Sequence, residues 1–154
     1  MKSFLKYWLP LIAWLAIMFV GSTDLMSAEQ TSRIIGPLLR WFKPDISMEA
    51  ITRIQFFVRK GAHVTEYAIL AALLWRACRG NDRWRTTSIL FLIAWTACAV
   101  FAVSDEFHQS FLASRTGSRG DVMIDIVGAF VGLTMCWIFA RRRMRVPADR
   151  RSRI

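Results

Sequence analysis

The side chains of this sequence that could do chemistry fall into a few short stretches. One holds Arg59, Lys60, His63, Glu66 and Tyr67; a second holds Asp105, Glu106, His108 and Gln109; Arg115 follows, then Asp121 and Asp125. His63, Glu66, Asp105, Glu106, His108 and Asp125 are the candidate catalytic groups, because a histidine oriented by a carboxylate acts as general base or nucleophile. Arg59, Lys60, Tyr67, Gln109, Arg115 and Asp121 are the candidate substrate-binding groups, with the arginines able to hold a phosphate by paired donors. The carboxylates could instead bind a divalent cation. All-oxygen ligation would suit Mg²⁺ or Ca²⁺, and inclusion of both histidines a transition metal. The spacing names no metal.

These residues sit in and beside apolar blocks. Hydrophobic residues make up 55% of the 154 positions and charged ones 21%, yet the formal charge is +10. A soluble nucleic-acid binder would spread its bases over an exposed face. Here the bases gather at the ends of apolar runs, so no nucleic-acid partner is expected. Three cysteines in or beside apolar runs exclude a disulfide-stapled secreted domain. The pattern describes an all-α membrane protein, a bundle of four transmembrane helices at about 5–22, 52–78, 87–108 and 121–140. No small-x-small cleavage site follows the first block, which reads as a retained anchor.

Residues 1–140 then form a single transmembrane domain, and 141–154 a basic tail expected to be disordered and attracted to anionic headgroups. The N-terminal tail, the second connection and the C-terminal tail collect most of the 21 Lys and Arg and only Asp82 and Asp149 of the 11 acids. That asymmetry predicts both termini on the cytoplasmic side of the cytoplasmic (inner) membrane. Between the first two spans, Ile34, Ile35, Leu38, Leu39, Trp41 and Phe42 recur at helical spacing. They predict a short amphipathic helix in the outer interface, or else a partly ordered loop over the bundle. Ser27 and Gln30 match a capping box at its start, and Gly36-Pro37 should break or bend it.

Height and direction bring the polar residues together. Arg59, Glu106 and Asp121 each lie 19 positions from the cytoplasmic boundary of their span, about 28 Å at the helical rise. His63, Glu66 and Asp125 lie roughly 6–10 Å deeper. Arg59, His63, Glu66 and Tyr67 share one helix face; Asp105, His108 and Gln109 share another; Asp121, Asp125, Gly128 and Gly132 form one stripe. Gly128 and Gly132 make a G-x-x-x-G pair, which turns the aspartates towards a neighbouring helix. Each ionisable group facing lipid would cost about 2.5–3.5 kcal/mol. The set must therefore pair internally, as in a buried network of Arg59 or Lys60 with Glu66 or Asp125, or line a wet pocket open to the outer face.

In order and spacing, Arg59-Lys-Gly-Ala-His63-Val-Thr-Glu66-Tyr67, Ser104-Asp105-Glu106-Phe-His108-Gln109, Arg115 and Asp121-Val-Met-Ile-Asp125-Ile-Val-Gly128 followed by Gly132 resemble the VanZ-like family of small bacterial membrane proteins. The resemblance implies a multi-pass protein of the cell envelope. Its founding member is linked to resistance against the glycopeptide teicoplanin, and kinship to membrane enzymes of lipid headgroups has been proposed for the family.

Three functions fit. One is an intramembrane enzyme acting on a phosphate-linked lipid headgroup or a lipid-linked cell-envelope precursor. Another is a non-catalytic protein that binds such a lipid or precursor and alters glycopeptide susceptibility. The third is a small transporter or proton relay, disfavoured because Ser88 to Val103 offers no polar path inward. Oligomeric state is left open. Trp8, Trp41, Trp75 and Trp84 read as interfacial anchors; Trp14, Trp95, Trp137 and the three cysteines read as packing residues.

Overall fold

The computed structural model describes residues 2–23, 28–80, 87–111 and 118–145, which form helices and short turns with no strand among them. The order is α1 (Lys2–Gly21), α2 (Ala28–Phe42), α3 (Met48–Arg79), α4 (Thr87–Gln109) and α5 (Arg119–Arg145). Three of these carry segments long and apolar enough to cross a membrane: Phe4–Gly21, Ser88–Gln109 and Arg119–Arg142. At 32 residues α3 is longer than any of them, but it carries Arg59, Lys60, His63 and Glu66 and is not one of the three.

Local chemistry sets the helix ends. α3 starts at Met48, earlier than the expected span, because Ser47 caps it: the Ala50 amide donates to Ser47 Oγ at 3.2 Å, which satisfies one orphan donor of the first turn. α5 runs on to Arg145, so residues 141–145 of the expected tail are helical. Residues 146–154, and Ser27 of the expected capping box, lie outside the described residues.

Two prolines sit inside helices. Pro37 does not break α2, which is continuous from Ala28 to Phe42. Gly36 explains this, since the clash of a proline ring with the preceding residue falls partly on a Cβ that glycine lacks. Pro10 of α1 cannot donate to the carbonyl of Lys6 one turn earlier. That carbonyl accepts instead from Arg76 Nη2 of α3 at 3.1 Å.

Cross-helix pairs give the directions. Lys6 with Arg76 and Trp14 with Glu66 make α1 and α3 antiparallel. His63 with Asp125, followed by Val64 beneath Gly128 and Ala68 beneath Gly132, make α3 and α5 parallel. Trp95 Nε1 donates to the Ile126 carbonyl at 3.2 Å, and Phe91 meets Phe130 edge to face, so α4 runs against α5. α3 packs on all four other helices and most extensively on α5.

The packing is that of a helix bundle in lipid. Ala71, Ala77, Ala94, Ala102 and Ala129 are fully buried, and so is Cys98. Large apolar side chains such as Leu9, Ile17, Leu92, Val100, Phe107 and Phe139 point outward. Small residues at the seams let backbones close up. Of the expected interfacial tryptophans, Trp75 is instead buried in the core, with the Arg79 guanidinium 6.0 Å from its ring centre, Trp8 packs partly buried against the core, and Trp84 lies outside the described residues.

The tightest seam is α3 on α5. A Cβ on Gly128 would come 2.5 Å from the Val64 carbonyl oxygen, and one on Gly132 2.8 Å from Ala68 Cα. A Cβ on Gly61, by contrast, would meet nothing within 4 Å. Gly132→Ala therefore lowers the thermal midpoint of the purified protein in detergent, by the equivalent of about 1–3 kcal/mol for an overpacked contact. Gly61→Ala, which gains helix propensity, leaves the midpoint equal or higher.

Candidate functional site

The end of the bundle that holds the N-terminal half of α3 and the adjoining ends of α4 and α5 collects the polar side chains. His63 sits one turn below Lys60 on α3, and Asp125 one turn below Asp121 on α5. Because α3 and α5 run parallel at glycine-close separation, the two pairs meet rung by rung. Lys60 Nζ forms an ion pair with Asp121 Oδ1, and His63 Nδ1 lies 3.0 Å from Asp125 Oδ1. The Asp125 side chain is 2% exposed and that of His63 19%. The acid is sealed in, and the imidazole keeps access from one side. An acid at Nδ1 fixes the ring and its tautomer and leaves Nε2 for another partner.

α4 supplies the third wall. Asp105 Oδ2 accepts from Gln109 Nε2 at 2.9 Å, one turn along the same helix. Glu106 is buried and accepts the backbone amide of Ser118, just ahead of α5, which ties the end of α4 to the start of α5. Glu66 and Tyr67 face the same region from α3. Asp121, Asp125 and Glu66 lie within electrostatic reach of His63; Asp105, Asp125 and Glu66 lie within reach of Tyr67; Asp121, Asp125 and His63 lie within reach of Glu106. The cluster is continuous across three helices.

Two of the expected residues stand apart from it. Arg59 is exposed and has no ion-pair partner among the described residues. His108 turns towards α1, its ring 5.5 Å from that of Phe19, with Nδ1 buried and unpartnered among the described residues. Arg115 lies outside the described residues. Among those residues no three His, Cys, Asp or Glu side chains come close enough together to hold a metal ion. Their carboxylates are instead engaged by Lys60, His63, Gln109 and the Ser118 amide.

Some contacts that frame the cluster have no sequence signature. Trp14 Nε1 donates to the Glu66 carbonyl at 3.1 Å and fastens α1 beside the site; Trp95 does the same between α4 and α5. Both acceptors are backbone atoms, which any residue would offer. The Ser118 amide on Glu106 is hidden for the same reason.

A family model described as VanZ/LLP1 matches residues 7–140. The chain belongs to the VanZ/LLP1 family. The matched range contains α1 to α4 almost entirely and α5 as far as Ala140, with every residue of the polar cluster inside it. With three helices of membrane-crossing length and composition among the described residues, it is a membrane protein of that family. Searches of curated proteins and of solved structures return no match.

Opposite charges this far covered are costly to leave single. Lys60→Met strands Asp121, whose side chain is 17% exposed, and lowers stability by about 3 kcal/mol, the lower range for a breached buried pair. The double variant Lys60→Met/Asp121→Leu recovers most of that loss. Thermal unfolding of the single and double variants in one detergent completes the cycle.

Proposed function

We propose that this VanZ-family protein crosses the cytoplasmic (inner) membrane four times, with α3 as the fourth span and both termini in the cytoplasm. The support is charge and height. Arg76, Arg79, Arg141 and Arg142 gather at the end of the bundle away from the polar cluster, as expected of a cytoplasmic boundary. Lys60 and His63 of α3 are offset by Asp121 and Asp125 of α5. α2 then lies along the outer interface, its Ile34, Leu38, Trp41 and Phe42 exposed for the acyl boundary and its Arg33, Arg40 and Lys43 for the headgroups.

The site under α2 acts on a phosphate-linked lipid headgroup or a lipid-linked cell-envelope precursor in the outer leaflet. The observation that carries this reading is the His63–Asp125 pair, a buried acid holding a partly accessible imidazole. In the proposed chemistry His63 Nε2 takes the proton of a hydroxyl or water that attacks the phosphorus, the P–O bond to the leaving alkoxide breaks, and the imidazolium, stabilised by Asp125, returns its proton to that alkoxide. Lys60, with Arg59 exposed beside it, attracts the phosphate at the rim. Catalysis is preferred to relay because the core beneath the cluster, with Leu70, Ala71, Leu90, Ala94, Cys98 and Leu133, is apolar.

A deletion strain complemented with wild type or with His63→Ala, profiled for membrane lipids and cell-wall precursors, tests the activity. The expected result is accumulation of one phosphate-linked species in the deletion strain, reversed by wild type and not by His63→Ala. Removal of a general base is worth 10²–10⁴ in rate, enough to leave that species uncorrected. Identical profiles in the two complemented strains, with His63→Ala present in the membrane at wild-type level, would remove His63 from catalysis and favour a headgroup-binding protein without turnover.

A further inference from the structure

Tyr67 is 1% exposed, yet its hydroxyl has no hydrogen-bond partner among the described residues. It is surrounded by acids from all three walls of the cluster: Glu66 on α3, Asp105 on α4 and Asp125 on α5 act on it electrostatically. None of them accepts a hydrogen bond from it. An unmet donor at that depth is unfavourable, and the native state is expected to supply it with an acceptor. The neighbours restrict what the filler can be. It must accept from Tyr67 while facing carboxylates, which only accept. A phosphate oxygen accepts but brings another negative charge to three acids. An ammonium donates but cannot accept. A hydroxyl, like water, does both.

We propose that the buried Tyr67 hydroxyl is the contact for an uncharged hydroxyl of the lipid headgroup, distinct from the cationic rim at Lys60 and Arg59 that takes the phosphate. Tyr67 donates to the hydroxyl oxygen, and the hydroxyl proton points to Asp105 or Glu66. This deepens the headgroup reading above and rests on it. It makes the site selective for headgroups that carry a hydroxyl beyond the phosphodiester.

The test compares two lipids of equal charge, phosphatidylglycerol with free hydroxyls and phosphatidylmethanol with none, titrated against the purified full chain in detergent and read by native mass spectrometry. The wild type binds phosphatidylglycerol on the order of tenfold more tightly, as for one well-placed polar contact. Tyr67→Phe lowers phosphatidylglycerol affinity to that of phosphatidylmethanol and leaves phosphatidylmethanol unchanged. Equal binding of the two lipids by the wild type overturns the hydroxyl subsite and leaves the Tyr67 hydroxyl to water, with the headgroup reading intact. Tyr67→Phe that keeps the preference, or weakens both lipids alike, also overturns it. Binding of neither lipid overturns the headgroup reading itself. The wild-type comparison decides even if the variant does not fold.

Discussion

The α3–α5 seam governs this structure. Two glycines let the helices close to backbone contact, and at that separation Lys60 reaches Asp121 and His63 reaches Asp125. Close packing and charge pairing depend on each other. Without the glycines the side chains would stand too far apart to pair; without the pairs, four ionisable groups would be buried or half-buried with no compensation. Neither helix could keep its polar stripe in an apolar setting alone.

This dependence explains why the cluster lies where it does. The rungs proceed from the ion pair at the rim to the histidine and its acid one turn deeper, and then to Tyr67 and Glu66 another turn down. α4 closes the third side through Asp105 and Glu106, and α1 braces the back by the indole of Trp14. The opposite end of the bundle is built differently. There Arg141 covers the ring of Trp137 at 3.7 Å and Arg76 lies over Tyr7, so bases meet aromatic faces and the acids are few.

Much of this is readable from residue spacing. Asp121, Asp125, Gly128 and Gly132 recur every four or three residues on one stripe, and that stripe does face α3. The helical nature of 28–42 is legible from its apolar recurrence, though its passage through Gly36-Pro37 is not, because the relief supplied by a missing Cβ is a local steric matter. His108 shows where helical-wheel reasoning stops. It shares a face with Asp105, but a face is broad, and the proximity of Phe19 decides which side the ring takes. Trp75 misleads because its distance from a span end says nothing about whether neighbouring helices cover it. Contacts to backbone atoms, such as that of Ser118 with Glu106, leave no trace in side-chain patterns at all.

The proline in α1 carries a consequence for how the chain comes together. The Lys6 carbonyl cannot be satisfied by its own helix and takes its donor from Arg76, a residue synthesised seventy positions later. A nascent α1 therefore leaves the ribosome with an unfinished turn near its start. Its Arg76 partner arrives only when α3 has been made and has folded back alongside, so this turn of α1 takes its final contact later than the rest of the helix.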